Sequence, residues 1–121
     1  MNSEELTRLA ISILENHKAV DIHNMDVRGL TSICDNMIIC SATSRRHASA
    51  MADKLLRALR EEGVKPFGLE GENIGEWVLV DLNDIVIHIM LPEIREFYNL
   101  EKLWSATQEI RGEQASNSNE D

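Results

Sequence analysis

Trp77-Val78-Leu79-Val80-Asp81-Leu82-Asn83-Asp84-Ile85-Val86-Ile87-His88-Ile89-Met90-Leu91-Pro92 reads as two short apolar runs separated by a turn pair. Asn and Asp tolerate the backbone of a tight reversal, so Trp77 to Leu82 and Ile85 to Leu91 are expected to form an antiparallel hairpin. A two-residue turn sets Leu82 opposite Ile85 and carries the register outward to Trp77 opposite Met90, with Glu76 beside Leu91. The second run is apolar on both faces: Ile85, Ile87, Ile89 and Leu91 lie on one side, Val86, His88 and Met90 on the other. That pattern belongs to a central strand covered by layers above and below.

Working outward, Pro92 suits the first position of a last helix, with Ile94, Phe97, Tyr98, Leu100, Leu103 and Trp104 as its apolar residues. Upstream, Phe67 to Leu69 is a short strand, followed by a polar loop through Gly71 and Gly75. Ala48, Met51, Ala52, Leu55, Leu56 and Leu59 form one helical stripe over Arg45 to Glu62. Ser44 or Thr43 caps this helix, and Gly63 and Pro66 stop it. Asn36 to Ala42 and Ala19 to Met25 read as strands, and Leu6, Leu9, Ala10, Ile13 and Leu14 as a first helix from Ser3 to His17, with Asn2 and Glu5 as a capping box. The expected order is α-β-β-α-β-β-β-α, an α/β chain with a mixed sheet of about five strands flanked by helices.

With 121 residues the chain has room for one domain. The expectation is a domain over 1–111 and a disordered acidic tail over 112–121, where Ala115 is the sole apolar residue. Hydrophobic residues make up 43% and charged residues 27%, a folding composition. Twelve basic against 21 acidic residues leave a net charge of −9, which opposes the grip on phosphates that nucleic-acid binding needs and favours a basic partner. The acidic start lacks the basic and apolar blocks of a secretory signal, and no run is long enough to span a bilayer. A cytoplasmic protein is expected.

Chemistry-bearing motifs are weak. Gly68, Gly71 and Gly75 match neither dinucleotide nor Walker spacing, and neighbouring Glu70, Glu72 and Glu76 repel phosphate, so they read as turn glycines. Asp81 and Asp84 are three apart and flank a turn, whereas carboxylates sharing one strand face sit two apart, so turn capping explains them better than paired cations. No histidine stands at metal-ligand spacing, and Cys34 and Cys40 are too few for a thiolate metal site. His88 reads as a hydrogen-bonded, half-buried strand residue rather than a general base, and Cys40 as a buried thiol. No cofactor is expected.

The hairpin mouth is different. Trp77, Met90, Leu91, Pro92, Arg95 and Tyr98 converge at one end of the sheet, with Arg95 and Tyr98 on one side of the last helix. These residue types are enriched at protein interfaces and hot spots. Equally, Trp77 and Met90 suit a core beneath the last helix, and composition leaves both readings open.

The run Glu70-Gly71, Glu76 to Asp81, Asp84 to Met90, then Arg95 and Tyr98-Asn99-Leu100-Glu101-Lys102-Leu103-Trp104 closely resembles the ribosomal silencing factor, or Iojap, family. Asp35 to Ser41, Ser44-Arg45 and Ala48 fit the same pattern, so the likeness spans about Leu6 to Trp104. Cys40, Ala42 and the tail depart from it. The resemblance implies a nucleotidyltransferase-like fold without that chemistry, hence no enzyme. It implies docking on the large ribosomal subunit through protein uL14, which blocks association with the small subunit and represses translation under nutrient limitation. It assigns the contacts to Trp77, Met90, Leu91, Arg95 and Tyr98, favouring the interface reading. The alternatives are a phosphoryl-transfer enzyme and a homodimer formed through the same patch when the protein is free.

Overall fold

A computed structural model describes residues 1–103. Its order is α1 (Ser3–Asn16), β1 (Val20–Asp26), β2 (Asn36–Ser41), α2 (Arg45–Glu61), β3 (Gly68–Glu70), β4 (Trp77–Asp81), β5 (Ile85–Met90) and α3 (Pro92–Tyr98). The five strands form one mixed sheet in the order β1-β2-β5-β4-β3, with β2 and β5 parallel and the other pairs antiparallel. The expected α/β architecture is therefore present, and every residue of β5 is buried at the centre of the sheet.

Alternation along the strands divides the interior in two. Ile38, Cys40, Val78, Val80, Ile85, Ile87 and Ile89 face α1 and α2, whose stripes of Leu6, Ala10, Ile13 and Leu14 and of Ala48, Met51, Ala52, Leu55, Leu56 and Leu59 close the larger core. Met25, Met37, Ile39, Val86 and Met90 face the other way, under Ile94 of α3 and Leu100 and against Val27 and Cys34. Local signals set the helix starts: the Asn2 side chain accepts from Glu5 N–H (2.8 Å) and that of Ser44 from His47 N–H (3.0 Å).

The hairpin has the anticipated register, with Trp77 opposite Met90 and Leu82 N–H bonded to the Ile85 carbonyl at 2.9 Å. Asn83 takes a positive φ of 76°, and Asp81 Oδ1 accepts its N–H at 2.8 Å, so Asp81 acts as a turn cap. Two segments differ from the sequence reading. In β1 the register shifts between Val20 and His23, where Asp21 has φ 50°, so the simple alternation through Val20 and Ile22 is broken by a bulge. The last helix is interrupted at Asn99, which adopts the left-handed conformation (φ 48°, ψ 52°) as a C-cap, and helical backbone resumes only at residue 100. Asn is among the few residues that enter this region at low cost. Trp104 and the expected 112–121 tail lie outside the described residues.

Gly71 and Gly75 are turn glycines, as expected, and both hold positive φ. A Cβ on Gly71 would collide with the Trp77 carbonyl oxygen, because the loop passes directly over the start of β4. Gly71→Ala therefore carries both backbone strain and a steric clash, and should lower stability by about 2 kcal/mol or more in urea unfolding.

Candidate functional site

The mouth of the hairpin runs straight into α3. Leu91 N–H donates to the Glu76 carbonyl (3.0 Å), extending the β4–β5 ladder by one bond before Pro92 opens the helix. None of the seven residues of α3 is fully buried. Ile94 packs into the smaller core, whereas Phe97 is 79% exposed and Tyr98 52%.

The exposed aromatics are stacked in series. The Tyr98 ring lies 4.9 Å from the Trp77 indole at a tilt of 51°, and Phe97 meets Tyr98 edge-on at 5.0 Å. Such pairs contribute about 0.5–1.5 kcal/mol each beyond area burial. Beneath them, the half-buried Trp77 donates its Nε1–H to His88 Nδ1 at 2.9 Å, which fixes the indole to the middle of the sheet. Exposed Glu93 and Glu96 on the same helix give the surroundings a negative charge.

The six residues singled out in the sequence do not share one fate. Trp77 and Tyr98 are in contact, and Pro92 is exposed at the start of α3. Leu91 is buried but for a 9% edge. Met90 is at 0% exposure, so it supports the surface from below and is corrected from a contact residue to core. Its place opposite Trp77 is as expected, but α3 covers the thioether and leaves part of the indole open. Phe97 was missed as a surface residue. The signal lay in adjacent aromatics on a short helix, since consecutive residues point about 100° apart and cannot both face inward.

Arg95 also departs from expectation. It points away from Tyr98 and is bound within the molecule. Its Nε and Nη2 donate to the two oxygens of Glu101 at 2.7 and 3.0 Å, and its Nη1 to Ser41 Oγ at 2.9 Å. His23 Nδ1 approaches the same carboxylate at 2.8 Å. A bidentate pair with a side chain only 13% exposed on the arginine side is an internal clasp, joining the chain on both sides of Asn99 to β1 and β2. The hydrogen bonds from Arg95 hold the Glu101 carboxyl down at about 2. A depressed carboxylate stabilises the fold above its ordinary value near 4.5, and that contribution is lost as pH falls through 2. Arg95→Met should lower stability by about 1–3 kcal/mol, read as a fall in Tm, and should flatten this acid limb.

Burial raises the Cys40 thiol to about 12, which suppresses the thiolate a nucleophile would need. Among the described residues no group of three or more His, Cys, Asp or Glu side chains could hold a metal ion, and no helix is long and apolar enough to cross a membrane.

Comparison with known proteins gives the surface its context. A family model described as ribosomal silencing factor during starvation matches residues 1–121. The ribosomal silencing factor RsfS of Haemophilus influenzae is 47% identical over 100 residues, covering 83% of this chain and 98% of that protein. A mouse protein named for mitochondrial assembly of the ribosomal large subunit is 37% identical over 80% of this chain, which spans 44% of its length. A crystal structure of a Chromobacterium violaceum protein superposes with a TM-score of 0.85 at 43% identity, covering 87% of this chain and 88% of that one. A family match running the whole length, with identity and backbone agreeing across nearly all of a bacterial relative, leaves no part of the described fold unaccounted for. The chain belongs to the RsfS family of ribosomal silencing factors.

Proposed function

We propose that this chain docks on the large ribosomal subunit through Trp77, Tyr98 and Phe97, with Leu91 and Pro92 at the edge of the contact. The partner in this reading is the large-subunit protein uL14. Occupying that position blocks association with the small subunit and represses translation in the cytoplasm when nutrients are short. The observation that carries the reading is the aromatic series in which Phe97 and Tyr98 stand largely open to water in contact with the half-buried Trp77. Aromatic side chains that a fold holds open are the usual anchors of protein interfaces.

Electrostatics support the same assignment. Ribosomal proteins are mostly basic, so a net charge of −9 speeds encounter with one of them while ribosomal RNA repels the rest of the surface. Steric exclusion needs no covalent step, and the proposal is of a binding factor rather than an enzyme.

Separated subunits mixed with this protein and run on sucrose gradients test the reading. The joined-ribosome peak should shrink as the protein is added, with the protein in the large-subunit fractions. Full joining at saturating protein would sink it. Light scattering across a concentration series detects any homodimer, which should dissociate when large subunits compete for the same surface.

A further inference from the structure

The face of the sheet that carries α3 is longer than the helix. The seven residues of α3 span about 10 Å, while the six of β5 run about 20 Å, so the helix cannot cover the length of the strand. Toward the Asn83 turn the same face holds a groove of about 280 Å³, with Ile33, Met37, Leu79 and Val86 as apolar lining and Thr31 and Asp81 as polar members. Ile33 is 75% exposed, and Leu79 and Asp81 are half-buried. Burial raises the Cys34 thiol in the groove wall, and the charges of Asp35 and Asp81 raise it further, so the local field is negative. Among the described residues no lysine or arginine lines the groove.

We propose that the docking surface continues from Trp77 into this groove, which receives one lysine or arginine of the basic partner, its aliphatic stem on Ile33 and Leu79 and its head group at Asp81. The inference rests on the docking reading and adds a second, charged anchor to it. Three observations favour this occupant. Trp77, Leu79 and Asp81 follow one another on the same face of β4 at about 7 Å per step, so the groove is continuous with the aromatic series. Aromatic side chains bury about 150–250 Å² each, so the partly open Trp77, Tyr98 and Phe97 together fall short of the roughly 800 Å² that each partner gives to a standard interface, and the contact must extend. Apolar walls ending at a carboxylate match a long cationic side chain, which buries its stem and keeps its charge at the rim, and a space of about nine waters holds one of them.

Binding of the full chain to purified large subunits, measured over a series of potassium chloride concentrations, tests this with two variants. Asp81→Asn keeps an oxygen to accept the Asn83 N–H and removes only the charge, so it should weaken binding about tenfold at low salt and flatten the salt dependence. Ile33→Ser alters a residue mostly in water, so it should leave Tm unchanged and weaken binding about tenfold at every salt concentration. A benzophenone photocrosslinker placed by Ile33→p-benzoylphenylalanine should join the chain to a large-subunit protein. If both variants bind as the unaltered chain does while the Phe97→Ala, Tyr98→Ala double variant does not, the groove is refuted and the docking reading stands. If the unaltered chain does not bind large subunits, both fall. Crosslinking to ribosomal RNA overturns the assignment of a basic protein partner. A homodimer that Ile33→Ser dissolves without loss of subunit binding gives the groove to a second copy and likewise overturns it.

Discussion

A Phe97→Ala, Tyr98→Ala double variant should fold normally and lose at least about 100-fold in affinity for the large ribosomal subunit, equivalent to ~3 kcal/mol. Both rings are mostly in water, so their removal takes little from the interior beyond one or two aromatic contacts of about 0.5–1.5 kcal/mol each. In a complex the same rings would be desolvated at the centre of the contact, where truncation is most damaging. Trp77→Glu, the more obvious disruption, is the poorer instrument. It removes the bond to His88 Nδ1 and introduces a carboxylate beside a buried imidazole, so it should cost about 3–5 kcal/mol of stability together with binding. Co-sedimentation alongside thermal unfolding separates the two cases. A folded double variant that still sediments with large subunits refutes the assigned surface.

The second large effect is on acid stability. Burial lowers the His88 imidazole to about 4 from its ordinary 6.5, so the folded protein keeps it neutral while the unfolded chain protonates. Between those values the unfolded state binds more protons, and stability must rise with pH. About 3 kcal/mol should therefore be lost as pH falls from 6.5 to 4, with no further loss from this group below that. The cause is the loss of water around a ring only 5% exposed. His88→Leu should flatten this limb of the urea-unfolding profile and leave the Glu101 limb, centred at more acid pH, in place. A profile for His88→Leu with the original slope between pH 4 and 6.5 would reject the assignment.

The hairpin, its register and the central position of β5 were legible in the sequence because a period-2 pattern and an Asn-Asp turn act locally and agree. Helix α2 was equally plain from its stripe and its Ser44 cap. The failures share a cause. Whether Met90 lies open depends on where α3 falls across the sheet, and whether Arg95 projects outward depends on Glu101 six residues away across a left-handed Asn99. Helical spacing treats Pro92 to Trp104 as one rod, which carries Glu101 onward along the helix away from the Arg95 head group. The break at Asn99 turns Glu101 back onto the arginine. The resemblance favours an interface at the end of the molecule where Phe97 and Tyr98 lie open, and which aromatics are open required coordinates.

The hydrogen bond between Trp77 and His88 has a kinetic corollary. An indole tethered at its nitrogen and braced by Tyr98 has few rotamers to surrender when a partner arrives. The proposed recognition face is thus preorganised, its ordering entropy already settled during folding. Complex formation should proceed at a rate governed by diffusion and charge, with no slow rearrangement of the ring before it engages.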